Sequence, residues 1–231
     1  MIKKALISVW DKSGVLELAK FLADNNVEII STGGTAKYLK DNSIDIIPVS
    51  DITGLEAVMD GRVKTLNPKI FGGILADRSN SSHLKDLENM SSGTIDLIVV
   101  NLYPFVKEAV EKKLTMNKAI EYIDIGGPSM LRAAAKNYHS VCVLSDVSDY
   151  ASFMLNFNTD NNEVDLESRR IFASKVFQLT SSYDLEIFKY FNKDKSDRGC
   201  PESRILSLNK VQDLRYGENP HQLGAFYLDS D

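Results

Sequence analysis

Short runs of Val, Ile, Leu and Ala recur through the first 150 residues, and between them lie stretches whose apolar residues repeat at helical spacing. That alternation constrains the chain more than any other feature. An apolar run of about four to eight residues suits a strand buried on both faces, and a parallel sheet covered by helices is the architecture that buries strands in this way. Strands are predicted at 5–9, 27–30, 44–49, 96–102 and 141–144. A helix is predicted at 14–25, where Val15, Leu16, Leu18, Ala19 and Leu22 share a face. A second helix is expected after Thr35, and a third with Pro128 at its first position, just past Gly126 and Gly127. The expected fold class is therefore α/β, a doubly wound and mainly parallel sheet. Residues 163–192 add one or two long C-terminal helices, 192–203 reads as a charged linker, and 205–231 is a small remnant with strands at 204–208 and 224–228.

The net charge of -5 leaves no basic excess for a nucleic-acid backbone, so an anionic ligand must be held by locally placed groups. Cys142 and Cys200 lie far apart with no zinc or disulfide spacing, and His83, His139 and His221 fall in no triad or metal-ligand pattern, so no metal is expected. The opening MIKKALISVW meets the polar DKSG too soon for a signal peptide, and no apolar run reaches membrane-spanning length. A cytoplasmic protein with no membrane partner is the expectation.

Four stretches carry candidate chemistry. Ser31, Thr32, Gly33, Gly34 and Thr35 follow a predicted strand and precede a helix, where glycines and unpaired amides suit a phosphate; a plain capped turn fits the same residues. Ser8 and Lys12, after the first strand, would converge on the same crevice. Arg62 and Lys64, two apart in an extended segment, share a side and can clasp a charged substrate, or are ordinary surface cations. Asn101 and Tyr103 end the 96–102 strand, where an open sheet places ligand contacts, though a tyrosine packed at the sheet edge is equally natural there. Asp124 precedes Gly126 and Gly127, with Arg132 and Lys136 on one face of the following helix; a helix-start aspartate and a solvated stripe are the plainer readings.

Taken in order, SVxDK, STGGTAK, DGRVKTLxPK, NLYPF, IDIGGPSMLRAAAKN and SDY resemble the IMP cyclohydrolase domains of bifunctional purine biosynthesis enzymes, which have a methylglyoxal synthase-like fold. The likeness spans about residues 4–195, and VQDLRYGENPHQLGAFY resembles the opening of the transformylase domain of the same family. The resemblance implies a cyclohydrolase domain at 1–195, with its core at about 1–150 and a helical extension at 151–195. Residues 196–231 would then be a linker and the start of a transformylase domain, without a complete transformylase site.

Carried over by position, it implies substrate contacts from Ser8, Lys12, Ser31, Gly33, Gly34, Thr35, Arg62, Thr65, Asn101, Gly126 and Gly127. It implies catalytic roles for Lys64, Tyr103, Asp124 and Lys136, with Asp124 taking a proton and Lys136 giving one. The implied substrate and product are a formamidoimidazole carboxamide ribonucleotide and IMP, with no cofactor and a homodimeric assembly. A nucleotide- or phosphometabolite-sensing module without catalysis is the alternative. Three positions depart from the family pattern: Asn67 and Phe71 stand where it has histidines, and Trp10 where a small residue is common.

Overall fold

The computed structural model describes residues 1–59, 61–193, 205–219 and 221–229. They divide into two compact units, Met1–Ser181 and Ser182–Asp231. The first holds a five-stranded sheet of β1 (Lys4–Ser8), β2 (Glu28–Ser31), β3 (Ile47–Pro48), β4 (Leu97–Val100) and β5 (Cys142–Leu144) in the order β3-β2-β1-β4-β5. Every neighbouring pair is parallel, with Leu6 opposite both Ile30 and Ile98. The chain winds one way from β1 through β2 to β3 and the other way through β4 to β5. The switch point between β1 and β4 therefore opens a crevice at their C-terminal ends.

Period-two alternation sorts the strand residues into two cores. Ala5, Ile7, Leu97, Val99 and Leu144 face α1 (Val15–Asp24), whose Val15, Leu18, Ala19 and Leu22 are buried. Leu6, Ile30, Ile98 and Val143 pack with Ile70 and Ile74 of α4 (Pro68–Leu75) and with Met130, Leu131 and Ala134 of α7 (Gly126–Lys136). Each fully buried Leu or Ile contributes about 1.5–3 kcal/mol, so the two faces together hold the sheet, and neither strand face was free to be polar.

Several boundaries differ from expectation for local reasons. The third strand is only Ile47–Pro48, since Pro48 lacks an N–H and Val49 opens α3 (Val49–Thr53); its edge position tolerates the proline. The second helix, α2 (Gly33–Asp41), starts at Gly33 rather than after Thr35. Helix α7 starts at Gly126, so Pro128 is its third residue; an N–H in that first turn has no helical acceptor to lose. Between these lie α5 (Ser81–Asn89), a π-helical turn Val106–Val110, α6 (Met116–Ala119) and a 3₁₀ turn Ile120–Tyr122. After β5 come α8 (Asp149–Asn156) and one continuous helix, α9 (Leu166–Asn192).

The two positions that lack the family's histidines have structural employment. Asn67 caps α4, its Oδ1 accepting from Lys69 N at 2.9 Å, and Phe71 packs against the second core. Asn67→Ala is expected to cost about 1 kcal/mol, seen as a lower urea midpoint at unchanged slope.

The second unit contains an antiparallel pair, β6 (Leu208–Leu214) and β7 (Gly224–Asp229), with Lys210 opposite Tyr227. The first of these strands was expected at 204–208 but runs through VQDL, shifting it by several residues. Most of the expected linker, Cys200 and the division at 195/196 lie outside the described residues. Cys142 is buried in the sheet, which pushes its thiol up to about 12 and makes it inert. Among the described residues, no helix is long and apolar enough to cross a membrane.

Candidate active site

An open crevice of about 920 Å³ lies at the C-terminal ends of β1 and β4, over the first turns of α2 and α7. One end of it is built by the turn between β2 and α2. Thr32 is extended, with φ -146° and ψ 160°, and its side chain makes no capping bond. The first-turn amides of α2 have no helical acceptor, and the helix dipole adds positive potential there. Gly33 is required by its backbone conformation. Its φ is +56°, and a Cβ there would stand 3.3 Å from Lys64 Nζ, so the Lys64 ammonium lies directly over the helix start.

Ser31 and Thr35 serve this turn differently from expectation. Ser31 is fully buried and its hydroxyl donates to Ile7 O at 2.8 Å, so it knits β2 to β1 and presents nothing to the crevice. Thr35 Oγ1 donates to Val9 O at 2.9 Å and accepts from Val9 N at 3.1 Å, although Thr35 still lines the crevice. The neighbouring Thr32, half-buried, takes the crevice-lining position that Ser31 was expected to hold. Thr32 belonged to the segment singled out from the sequence, although no contact was assigned to it there.

The loop after β1 is tied down by Asn101. Its Oδ1 accepts from Trp10 N at 2.6 Å and Asp11 N at 3.0 Å, while its Nδ2 donates to Asp11 O at 2.9 Å. The expected substrate contact from this amide is thus replaced by a positioning duty, because its polar atoms are already engaged. Lys12 donates to Val9 O and to Trp10 O, and burial holds its ammonium below the usual lysine range against the pull of Asp11. Ser8, Lys12, Gly34 and Asn101 all line the crevice.

The acid–base end is organised around Asp124. Its Oδ1 accepts from Gly127 N at 2.8 Å, and the amides of Tyr103 and Gly126 also point at the carboxylate. Burial raises its pKa above the ordinary carboxylate range; the amides and Lys64 oppose that rise without cancelling it. A Cβ on Gly127 would overlap Asp124 Oδ2 and stand 2.9 Å from Leu102 Cδ2, so glycine is required at this close approach. Buried Thr65 packs its hydroxyl 3.1 Å from the place of a Gly126 Cβ, and Tyr103 lines the same wall. The helix-start role of Asp124 and its placement in the crevice are therefore both real.

Two cations depart from expectation. Arg62 does line the crevice with Lys64, but its Nη2 bonds both carboxylate oxygens of Glu121, at 2.7 and 2.6 Å. Sequence offered no signal for Glu121, which arrives on a 3₁₀ turn remote in the chain. Lys136 is exposed in the last turn of α7, and ten residues from Gly126 at the helical rise is about 15 Å. It lies outside the crevice of its own chain, so the Asp124–Lys136 couple is not assembled within one chain. Arg132, one turn earlier, lies over the Phe177 ring at 5.6 Å.

A doubly wound parallel sheet with a crevice at its switch point, lined by helix-start amides, Lys64 and a buried carboxylate, defines an α/β domain with a ligand-sized cleft at the strand ends. Comparison with known proteins agrees. The MGS-like domain matches residues 14–129, and the AICARFT/IMPCHase bienzyme matches residues 134–231. The chain belongs to the MGS-like domain family. It is 51% identical over 227 residues to the bifunctional purine biosynthesis protein PurH of Clostridium botulinum strain Hall, covering 98% of this chain and 44% of that one. The protein of the same description from Acetivibrio thermocellus is 49% identical over the same shares. The chain thus spans less than half the length of these curated relatives. Among solved structures, the crystal structure of ForH superposes with a TM-score of 0.73 at 31% identity, covering 82% of this chain and 97% of that one.

Proposed function

We propose that this chain is an IMP cyclohydrolase, closing the second ring of the purine by dehydrating 5-formamidoimidazole-4-carboxamide ribonucleotide. The observation that carries the reading is the raised-pKa carboxylate of Asp124, gripped by main-chain amides and facing Lys64 across a crevice with an anion-binding helix start. In the reaction, the carboxamide nitrogen attacks the formyl carbon. The carboxamide and formamide nitrogens each give up one proton, and the formyl oxygen leaves as water carrying both.

The step is intramolecular, so holding the two arms adjacent supplies much of the acceleration; effective molarities of well-oriented groups reach about 10⁵ M or more. The α2 amides, Thr32, Gly34 and Lys12 anchor the phosphate in this reading, and Arg62 and Thr65 help hold the base. Asp124 takes the carboxamide proton, and a raised pKa makes it a stronger base than an ordinary aspartate. Lys64 and Tyr103 polarise the formyl oxygen. Lys136, lying outside its own crevice, is assigned to the crevice of a second copy in a homodimer, where it protonates the departing oxygen. Every step moves a proton or forms a bond within the substrate, so no cofactor is assigned.

The same reading makes residues 1–195 the cyclohydrolase domain and 196–231 the start of a transformylase domain, and places the protein in the cytoplasm with purine synthesis. The test adds the purified chain to the formamidoimidazole carboxamide ribonucleotide, without metal or folate, and follows IMP by its ultraviolet spectrum. Stoichiometric conversion at catalytic protein concentration is expected. Tight binding with no IMP above the blank would overturn the reading in favour of a nucleotide-sensing module.

A further inference from the structure

Trp10 is the chain's one tryptophan, and it stands at the crevice rather than in the core, with 40% of its surface exposed. A large aromatic at a pocket wall returns free energy only when something covers it. Its main chain is fixed on both sides: Asn101 Oδ1 accepts from its amide, and its carbonyl accepts from Lys12 Nζ at 3.1 Å. Asn101 is itself hydrogen-bonded to the buried Tyr150 side chain, which steadies the strap from beneath.

The indole is steadied as well. Its centroid lies 6.4 Å from that of Tyr103, with the planes inclined at 57°, within the range of attractive aromatic pairs. Tyr103 also donates its main-chain N–H to Asp124. Indole and phenol thus form a braced aromatic pair on the crevice wall, joined to Asp124 through the Tyr103 main chain. A third ring does not fit between the two aromatics, since a parallel sandwich needs about 7 Å, twice the van der Waals contact distance. A planar ligand that stacks on the indole therefore does so outside the Trp10–Tyr103 pair, with Tyr103 as the backing.

We propose that Trp10 is a specificity-determining residue: backed by Tyr103, its indole stacks on the heterocycle of the bound nucleotide and selects a base-bearing phosphate over a bare sugar phosphate. The proposal rests on the cyclohydrolase reading. It makes one of the positions where this chain departs from its family a contributor of binding energy through its side chain, while its main-chain carbonyl holds Lys12.

The single tryptophan lets binding be read directly. The chain is titrated with IMP and, separately, with ribose 5-phosphate, following tryptophan emission and heat; Trp10→Ala and Trp10→Phe are compared by heat and by turnover. IMP is expected to quench Trp10 emission and ribose 5-phosphate to leave it unchanged. Trp10→Ala should weaken IMP roughly 5- to 150-fold, the range of base–aromatic stacking, and leave ribose 5-phosphate affinity as it was. KM should rise with kcat largely kept, and Trp10→Phe should recover most of the affinity. An equal loss for both ligands would mean that Trp10 only shapes the loop, and would overturn the proposal, as would IMP affinity indifferent to Trp10→Ala in a chain that still turns over. Failure of the unaltered chain to bind IMP would remove the cyclohydrolase reading and this proposal together.

Discussion

Replacing Asp124 with Asn is expected to leave the chain folded and able to bind IMP while turnover falls by about 10²- to 10⁴-fold, the usual worth of a positioned general base. The amide keeps an oxygen to accept from Gly127 N, so the start of α7 is preserved. Stability is linked to the same group. Burial raises the Asp124 pKa in the folded chain, so its charged form is disfavoured there. A raised folded pKa gives a stabilising contribution present below the unfolded value and lost as pH rises through the folded one. The stability of the unaltered chain should therefore fall as pH rises through the Asp124 pKa, and Asp124→Asn should remove that dependence. In the unaltered chain the acid limb of the kcat profile should lie above the ordinary aspartate value of about 3.9. Near-normal turnover by the folded variant would show that positioning alone accounts for the rate.

Lys136→Ala is expected to lose turnover on a similar scale, and mixing it with Asp124→Asn is expected to restore about a quarter of the unaltered activity. The arithmetic follows from two-fold symmetry, in which each copy presents the same surface to the other. Random re-pairing makes half of the dimers mixed. If Lys136 serves its partner's crevice, each mixed dimer has one site with both residues and one with neither, so one site in four is complete. If Lys136 acted in its own chain, every site would lack one group and mixing would restore nothing. The 15 Å that separates the ends of α7 favours the first outcome. Light scattering on the same samples checks the dimer itself; a monomeric chain with full activity would remove Lys136 from the mechanism.

Much of the framework was legible from periodicity. The runs at 96–102 and 141–144 each contain a strand of the sheet and the run at 5–9 is offset from its strand by one residue, because apolar residues on both faces leave few alternatives to a parallel strand under helices. Where local chemistry competes with the pattern, boundaries moved. Pro48 cut the third strand to two residues, and the glycines at 33 and 126 began helices earlier than their flanking residues suggested. The turn before α2 was legible as a segment, but which hydroxyl faces the crevice was not. Ser31 and Thr32 are adjacent on extended backbone and point to opposite sides, so only the packing of β2 against β1 assigns one inward and the other out.

What the sequence by itself determined is the order of the elements and the residue types brought to the sheet's C-terminal edge, because hydrophobic period and glycine placement are local properties. Only the tertiary structure decided what those residues do there. Asn101 became a strap because the β1 loop lies within its reach, Arg62 met Glu121 from a turn far along the chain, and the length of α7 carried Lys136 away from Asp124. The raised pKa of Asp124 belongs to the same class, since it arises from burial, which outweighs the opposing amides brought in by Tyr103 and Gly127. Distances between elements and the exclusion of water are set by packing across the whole sheet, and neither is written in the spacing of residues along the chain.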